Sequence, residues 1–298
     1  MNSQIKNIVF LAFLNILFSN VLLVPEDYSS IQEAINSSAQ NDTVLVSPGL
    51  YIENLFINNI SISIVSSEGA NNTTIDGSSN NSVININSSG NNVLIHGFTV
   101  KNGAGELFAS GSRYGGGIIS RNTILTLDSL IVENNESFAG GGVCIYDMES
   151  SSTQSIIKNS IIKNNIASEG GGVFVINQSL DIINSTIDGN GMIPFGSGGG
   201  VQALAANIKL LNTNLINNHS RFGGGIYIGS SDSSIEKTII SNNVSDSKGG
   251  GVWVGSDSIL DFSETLITDN FSDGFGGGVF ISSANLFIDK STIANNIV

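Results

Sequence analysis

Two acidic residues and one arginine occupy nearly the same place in successive repeats of this chain. Asp246 and Asp273 each lie three residues before a triple glycine, and Arg221 lies near that place one repeat earlier. If repeats stack about 4.8 Å apart, the two carboxylates approach to roughly 5 Å. Such a group can bind calcium or act on an acidic sugar. A solvated edge is the alternative, because neighbouring columns carry charges without a pattern, at Glu136, Glu169 and Lys248.

Other reactive groups are few. The two histidines, His96 and His219, lie about five repeats apart and cannot share a site. The sequence has no nucleophile-elbow, zinc-protease or phosphate-loop motif. The single cysteine, Cys144, permits neither an internal disulfide nor a zinc cluster, and it either points outward from its strand or packs. We therefore expect no cofactor, with calcium as the one candidate.

Aromatic residues precede several triple glycines, at Tyr114, Phe138, Phe195, Phe222 and Phe275. Rings at one repeat position can stack on one another along a rod, or they can form a stripe that binds a sugar or a protein. Trp253 follows an inward strand position and is expected to point outward. It is therefore the best single candidate for contact with a ligand.

A repeat positions all of these residues. A triple glycine recurs seven times from residue 115 onwards, and an asparagine follows each one. The asparagine comes 20 or 21 residues after the first glycine in six units, and 25 residues after it in one. A fixed internal period indicates a repeat architecture. The triplets begin at Gly115, Gly140, Gly170, Gly198, Gly223, Gly249 and Gly276, and the asparagines are Asn135, Asn165, Asn190, Asn218, Asn243, Asn270 and Asn296.

Each unit contains three short strands and no helical pattern. Apolar residues recur two apart after the glycines, as in Val173 and Val175, and again in mid-unit, as in Leu180 and Ile182. A third apolar position, such as Ile187, precedes the asparagine by three residues. Period two is typical of half-buried strands. We predict an all-β parallel β-helix, or solenoid, of about ten rungs and roughly 45–50 Å in length.

The repeated glycines and asparagines are interpreted as structural. Both residue types tolerate left-handed backbone geometry, so they can turn a corner between strands. Asparagines that stack at one rung position can also hydrogen-bond along a ladder. A phosphate-binding loop would require a helix after the glycines, and no helical pattern follows them.

The repeat resembles that of chlamydial polymorphic outer membrane proteins. It combines an apolar residue three before an asparagine, as in Ile240 and Asn243, with a glycine motif such as that at Gly249. That family has phenylalanine where this chain has Ile240, and two glycines where it has three. The resemblance covers about residues 115–298. It implies a right-handed parallel β-helix on a secreted or surface protein.

The chain divides into three parts by pattern. Residues 1–19 are predicted to be a signal peptide, with a basic start at Lys6 and an apolar core of eleven residues over 8–18. That core is too short to span a bilayer as a helix, and a buried first strand is the alternative. Residues 20–102 are predicted to form the cap and first coils, and 103–298 the triple-glycine region of the same β-helix.

The start of the predicted β-helix carries a second resemblance. Ser30 and Glu33 have capping-box spacing, which predicts a short helix over about 30–38 that covers the first rung. The run 24–57 is similar to the opening of pectin-lyase-like β-helix proteins, including pectinesterases. That resemblance implies the fold and leaves the activity open. In polysaccharide lyases of this fold calcium and an arginine act together, which the group at Asp246 could imitate. The catalytic motifs of pectinesterases and polygalacturonases have no matching positions.

Composition restricts the partners. The chain has 11 basic and 25 acidic residues and a net charge of −14, which argues against nucleic acid or an anionic membrane as a partner. We expect a monomeric rod without a transmembrane helix, secreted or on the cell surface or outer membrane of a bacterium. A cell-surface glycan or protein is the expected partner. The chain stops directly after a repeat asparagine, and we expect further repeats beyond residue 298.

Two functional hypotheses remain open. The leading one is a non-enzymatic β-helix protein with an adhesive or structural passenger role. The alternative is a polysaccharide-binding or polysaccharide-degrading, pectate-lyase-like protein that uses the edge formed by Asp246, Asp273 and Arg221. The first requires no groove with clustered acids, whereas the second requires one.

Overall fold

Alternating apolar residues produce a coil of parallel strands. The computed structural model describes residues 19–147, 154–191 and 196–298, so the predicted signal peptide lies almost entirely outside the described residues. The chain visits three long sheets in a fixed order, and nine turns contribute a strand to all three. The predicted all-β solenoid is confirmed, with about nine turns where about ten were expected. Within the described residues, no helix has the length and apolarity needed to cross a bilayer.

Within each of the three long sheets, neighbouring strands run parallel. The eleven-stranded sheet contains Val21–Val24, Asp42–Val46, Ile62–Ser66, Asn92–His96, Ile124–Asp128, Gln154–Lys158, Ser179–Ile183, Ile208–Leu211, Asp232–Glu236, Ile259–Ser263 and Asn285–Asp289. The ten-stranded sheet contains Gly49–Ile52, Thr73–Asp76, Thr99–Lys101, Ile131–Glu133, Ile161–Lys163, Thr186–Asp188, Asn214–Ile216, Ile239–Ser241, Leu266–Thr268 and Thr292–Ala294. The nine-stranded sheet contains Leu55–Asn58, Ile84–Asn87, Ile118–Arg121, Val143–Tyr146, Val173–Ile176, Val201–Leu204, Ile226–Gly229, Val252–Val254 and Val279–Ile281.

Two smaller sheets lie at the corners. A three-stranded corner sheet, His219–Phe222, Val244–Lys248 and Phe271–Ser272, continues the parallel stacking. An antiparallel hairpin, Glu106–Leu107 and Arg113–Tyr114, is inserted before the first triple glycine.

In the part of the chain that the structure describes, one helix, Ile31–Ser37, covers the first turns of the coil. Ser30 is its N-cap and accepts a hydrogen bond from the Glu33 backbone N–H, as the capping-box spacing predicted. The Glu33 carboxylate accepts instead from Ser29, one residue earlier than a capping box requires. Ile31, Ala34 and Ile35 are buried. The apolar side of the helix therefore shields the start of the core.

The first glycine of each triplet supplies the left-handed backbone. Gly170 has a φ of +56° and Gly223 has +62°, values that L-residues rarely adopt. The second and third glycines have a different role, because each packs against the next turn. A Cβ on Gly172 would lie 2.6 Å from the carbonyl oxygen of Gly200. The triplet thus combines one conformational requirement with two steric ones.

The repeat asparagines form a continuous buried ladder. The backbone N–H and the Nδ2 of Asn190 both donate to Oδ1 of Asn218, at 3.0 and 3.1 Å. Asn218 repeats the pattern toward Asn243, and its Nδ2 also donates to the Ile187 carbonyl at 3.0 Å. Asn135, Asn165, Asn243, Asn270 and Asn296 take part in the same ladder.

The left-handed corner lies one residue before the ladder, and this corrects the sequence interpretation. Asn217 and Asn242 have φ values of +57° and +56°, whereas Asn218 and Asn243 do not have positive φ. The ladder asparagine is therefore required for its side-chain hydrogen bonds, and its predecessor turns the chain. The latter position accepts Gly189 or Asp269 as well as asparagine.

Replacement of the middle glycine Gly224 by valine is expected to destabilise the protein by about 2–4 kcal/mol. A Cβ there would collide with the backbone carbonyl oxygens of Val244 and Gly250, which cannot move without disturbing the stacking. Urea unfolding monitored by circular dichroism measures the change. The control is Gly90→Ala, because Gly90 has a φ of +68° but open space around it. The control should lose only about 1–2 kcal/mol through backbone strain. An unchanged midpoint for Gly224→Val would contradict the steric role.

Replacement of Asn218 by alanine is expected to destabilise the protein by roughly 2–4 kcal/mol. Asn218 is fully buried, and its loss removes the acceptor of the backbone N–H and Nδ2 of Asn190 together with one hydrogen bond to the Ile187 carbonyl. Asn214→Ala, an exposed change in the same turn, should stay within about 0.5 kcal/mol. Equal unfolding midpoints for the two variants would show that the ladder is dispensable.

Candidate functional site: the outer face of the nine-stranded sheet

The predicted acidic group lies on the corner sheet. Ser245 pairs with Ser272, so the residues that follow them, Asp246 and Asp273, occupy neighbouring positions on adjacent strands. Arg221 lies one turn earlier, at the point where the register between the strands His219–Phe222 and Val244–Lys248 shifts. The structure therefore brings the three positions to one edge. All three side chains are exposed.

The partners of this edge differ from those expected. Nε2 of His219 lies 2.7 Å from Oδ1 of Asp246, and the Arg221 guanidinium lies 5.0 Å from the centre of the Phe222 ring. The repeat spacing did not predict this contact, in which His219 begins the strand that precedes Asp246 by one turn. Among the described residues, no group of three or more histidine, cysteine, aspartate or glutamate side chains is placed to hold a metal ion. Calcium at this edge therefore has no supporting ligand set.

A better-built site lies on the outer face of the nine-stranded sheet. One outward residue from every turn occupies the same register position, and we call this row the outer column. It consists of Phe56, Asn85, Ile119, Cys144, Phe174, Gln202, Tyr227, Trp253 and Phe280. A flanking column just before the glycines consists of Tyr114, Ala139, Glu169, Ser197, Phe222, Lys248 and Phe275.

The hairpin closes the first half of this face. Its side chains Phe108 and Tyr114 pack against a cluster outside the coil that contains Ile119, Cys144 and Phe174. Cys144 points outward, as strand alternation indicates, yet it is completely buried. Burial raises the pKa of the Cys144 thiol to about 12, so the thiol is unreactive at neutral pH.

Arg121 fastens the hairpin to the sheet. Its guanidinium forms an ion pair with Glu106 of the hairpin and lies 5.3 Å from the centre of the Phe108 ring. It also donates to the Tyr146 hydroxyl and to Oδ1 of Asn85, both at 2.7 Å. The arginine side chain is 12% exposed. Its charge is therefore used within the protein and is not offered to a ligand.

The second half of the face carries a stacked aromatic pair. The rings of Tyr227 and Trp253 are 4.1 Å apart between centres and inclined by 6°. Each ring bends over the glycine two residues later in its own turn, Gly229 or Gly255. A Cβ on Gly255 would lie 2.5 Å from the indole ring. Both residues are half-buried, so part of each side chain stays accessible to solvent.

A half-buried carboxyl group lies in the flanking column of the same face. It belongs to Glu169, where burial raises the pKa while a hydrogen bond from Gln202 acts in the opposite direction. Burial also raises the pKa of Tyr227, and the charge of Glu169 adds to that rise. The sequence indicated a solvated edge at Glu169, and the structure leaves this residue partly exposed.

The far end of the face carries a cation and two further rings. The Lys248 ammonium lies 4.9 Å from the centre of the Phe280 ring and 5.8 Å from that of Phe275. Tyr114 meets Phe138 edge to face, while Phe222 contacts Arg221, so the residues before the glycines form separate pairs. Continuous stacking along the rod is therefore not observed, and Phe195 lies outside the described residues.

The sequence itself contains a signal for this site, in a second position of the repeat that is often aromatic. The position four residues after the first glycine of a triplet is aromatic in four of the seven units, at Phe174, Tyr227, Trp253 and Phe280. These residues form a second aromatic row, separate from the one that precedes the triplets. The outward direction predicted for Trp253 agrees with its place in the outer column.

Two larger concave surfaces lie elsewhere on the described residues. A cavity of about 610 Å³ beside the hairpin is lined by Arg113, Glu136 and Phe138, and Arg113 donates to the Gly105 carbonyl at 2.8 Å. A groove of about 530 Å³ on the eleven-stranded sheet is lined by Asp181, Lys209, Asp232 and Asp261. Neither combines a half-buried carboxyl group, such as that of Glu169, with the partly exposed aromatic rings of the nine-stranded face.

Comparison with known proteins shows a relationship at the level of fold. No protein-family model and no curated protein sequence matches the chain. Among solved structures, pectin methylesterase from carrot matches with a TM-score of 0.51 and 12% identity, over 88% of this chain and 87% of the enzyme. The fold is that of the pectin-lyase-like β-helix proteins. The similarity first noted over residues 24–57 thus extends along most of the chain.

Two further structures give lower scores. Pectin methylesterase from Erwinia chrysanthemi matches at 10% identity with a TM-score of 0.45, over 94% of this chain and 92% of the enzyme. Polygalacturonase from Erwinia carotovora matches at 13% identity with a TM-score of 0.44, over 94% and 96%. The resemblance of the repeat to chlamydial polymorphic outer membrane proteins stays a prediction from its motif.

The raised pKa of Glu169 predicts a pH-dependent effect of Glu169→Gln. A carboxyl whose pKa is higher in the folded than in the unfolded state stabilises the fold below the unfolded pKa. That contribution is lost as the pH rises through the folded pKa. The glutamine variant should therefore melt at a higher temperature than the wild type at pH 7, and the difference should shrink toward pH 4.

Thermal melting at matched ionic strength from pH 4 to pH 7 measures this difference. Asp261→Asn removes one negative charge from an exposed position on the eleven-stranded sheet and gives the reference for a general charge effect. If Glu169→Gln melted at a lower temperature than the wild type at pH 7, the ionised carboxylate would be stabilised by its surroundings, contrary to the assignment.

Proposed function

We propose that this protein is a polysaccharide-binding β-helix protein whose ligand lies along the open half of the outer face of the nine-stranded sheet. The observation that supports it most is the Tyr227–Trp253 stack, a pair of parallel and partly exposed rings on the face that also carries Gln202 and Glu169. Sugars combine apolar C–H faces with many hydroxyl groups. A site for them needs aromatic surface together with a few fixed polar groups, and this face offers both.

The shape of the face favours an extended ligand over a small one. From Phe174 to Phe280 the outer column advances by four turns, or about 19 Å at the usual strand spacing. Aromatic or polar side chains follow one another along this whole length. A chain polymer can follow such a surface and contact several turns at once.

Binding is favoured over cleavage by the arrangement of acids. Glycoside hydrolysis uses two carboxyl groups, about 5–9.5 Å apart, on opposite sides of the scissile bond. The groups that interact electrostatically with the Glu169 carboxyl are the Gln202 amide and the Tyr227 phenol, and neither is a second carboxyl group. The pair Asp246 and Asp273 lies on the corner sheet, and one of its members is bound to His219.

This proposal takes up the polysaccharide-binding half of the alternative hypothesis. The carrot enzyme is, by its name, an esterase of pectin, but it shares only the fold with this chain. The proposal therefore depends on the face itself. A glycan-binding surface would also serve the adhesive role that the repeat motif suggested, and secretion remains an expectation from the predicted signal peptide.

Tryptophan fluorescence tests the proposal directly, because Trp253 is the only tryptophan in the chain. Titration with soluble plant and bacterial polysaccharides should shift or quench its emission in a saturable way. Affinity electrophoresis in gels that contain the same polymers gives a second measurement. In those gels Trp253→Ala should weaken retardation by about tenfold or more, which corresponds to about 1.4 kcal/mol.

Phe287→Ser is the control, because Phe287 is an aromatic ring that is more exposed than Trp253 and lies on the outside of the eleven-stranded sheet. It should leave binding unchanged. Equal loss in both variants would indicate non-specific apolar association. A saturable response in no polymer would contradict the proposal, and release of shortened or de-esterified products would replace binding with degradation.

A further inference from the structure

The two sides of the inserted hairpin face different surroundings. In its antiparallel register Glu106 pairs with Tyr114 and Leu107 with Arg113, so these two pairs of side chains point to opposite sides of the hairpin. Glu106 and Tyr114 face the nine-stranded sheet, where Tyr114 packs on the outer cluster. Arg113 lies on the other side and lines the cavity of about 610 Å³. That volume is typical of sites that enclose a small ligand.

This cavity exists because the insertion leaves the regular path of the coil. The chain departs near Gly103 and returns through Arg113, and residues 134–138 of the next turn line the space beside both segments. Serine hydroxyl groups from three different turns also line it, and none has a hydrogen-bond partner among the described residues. They belong to Ser79, Ser112 and Ser168.

The Arg113 guanidinium is fixed along one edge and free along another. Its Nη1 donates to the Gly105 carbonyl at 2.8 Å and to the Asn80 carbonyl at 3.3 Å. Within the described residues its Nε and Nη2 have no hydrogen-bond partner, and the group forms no ion pair. The N–H bonds of Nε and Nη2 run side by side in the guanidinium plane, and this pair of donors matches the two oxygens of a carboxylate.

A carboxylate lines the same cavity without neutralising the arginine. Glu136 is exposed, and its side chain forms neither an ion pair nor a hydrogen bond with any described residue. The position of Glu136 is fixed by its backbone, because its N–H donates to the Gly103 carbonyl at 2.8 Å. The cavity thus contains one cationic and one anionic group that do not satisfy each other.

We infer that this cavity binds a small zwitterion of the size of a short peptide, with its carboxylate on Arg113 and its ammonium group on Glu136. The inference goes beyond the proposed function, because it concerns a second site and a different class of ligand. Phe138 is 43% exposed and offers apolar surface to the part of the ligand between its two charges.

The charge of the protein favours a zwitterion over a simple anion. A net charge of −14 lowers the concentration of anions near the surface, whereas a zwitterion carries no net charge and is not repelled. A simple anion on Arg113 would also bring a like charge into the cavity that Glu136 lines. The ammonium group of a zwitterion converts that repulsion into an attraction.

Unblocked glycine peptides of increasing length test the inference, because they vary the distance between the two charges without adding side chains. Glycine, diglycine, triglycine and tetraglycine are titrated into the intact protein, and binding is measured by calorimetry and by saturation-transfer NMR. One length should bind most tightly and saturably. Acetylation of its amino group, or amidation of its carboxyl group, should each weaken binding about tenfold or more.

Two variants assign the ligand charges to their partners. Glu136→Gln should reduce the preference for the free over the acetylated peptide to threefold or less. Arg113→Gln should do the same for the free over the amidated peptide. Arg113→Lys keeps the charge but loses the paired donors, so it should show an intermediate preference. Because Arg113 also ties the hairpin, thermal melting checks its variants, whereas Glu136→Gln changes an exposed side chain and gives an independent result.

Asp261→Asn and Trp253→Ala are the controls. The first removes an exposed acid from the eleven-stranded sheet, and the second removes the indole of the proposed glycan site, so both should bind the peptides as the wild type does. Equal changes in Asp261→Asn and Glu136→Gln would assign the effect to net charge and overturn the inference. Equal binding of free and acetylated peptides by the wild type would indicate a site for anions alone and would also overturn it, as would the absence of saturable binding at every length. Failure of polysaccharide binding contradicts only the proposed function, because the peptide titrations do not depend on it.

Discussion

The hydrogen bonds that the buried asparagines pass from one turn to the next constrain the rest of this molecule. Each ladder asparagine satisfies the backbone N–H of the one before it and a carbonyl three residues upstream of that one, at distances near 3 Å. These groups are buried, so a turn of a different cross-section would leave several of them unpaired. The ladder therefore fixes the size of every turn. The glycine triplets then allow the backbones to approach closely enough for the ladder to form.

Because the interior is fixed in this way, variation is confined to outward positions and to insertions at the corners. The hairpin before the first triplet is the clearest case. It closes one half of the nine-stranded face through apolar packing and through the ion pair between Arg121 and Glu106. The other half stays open, and there the outer column carries Gln202, Tyr227 and Trp253. The regular coil is a scaffold, and this half-open face is where it departs from regularity.

The electrostatics of the face follow from burial more than from net charge. Partial removal from water raises the pKa of Glu169, and a hydrogen bond from Gln202 acts in the opposite direction. Tyr227 responds to the same charge. The exposed acids Asp246 and Asp273 carry equal formal charge but stay in solvent, where a carboxylate is easily accommodated. Sharing a rung position is therefore a weaker indication of a site than sharing a desolvated environment.

The sequence by itself determined the architecture. The spacing of glycine triplets and asparagines, together with apolar residues two apart, was sufficient for the coil, its strands and the inward residues, because a repeat must satisfy the same local rules in every turn. The N-cap at Ser30 was likewise local and readable. Outward residues obey no such rule. Three features depend on which turns become neighbours and on where the inserted hairpin folds back. They are the burial of Cys144, the pairing of Arg121 with Glu106 and the effect of the Glu169 charge on Tyr227. Only the tertiary structure decided these, since contacts between residues 15 to 58 positions apart leave no period in the chain.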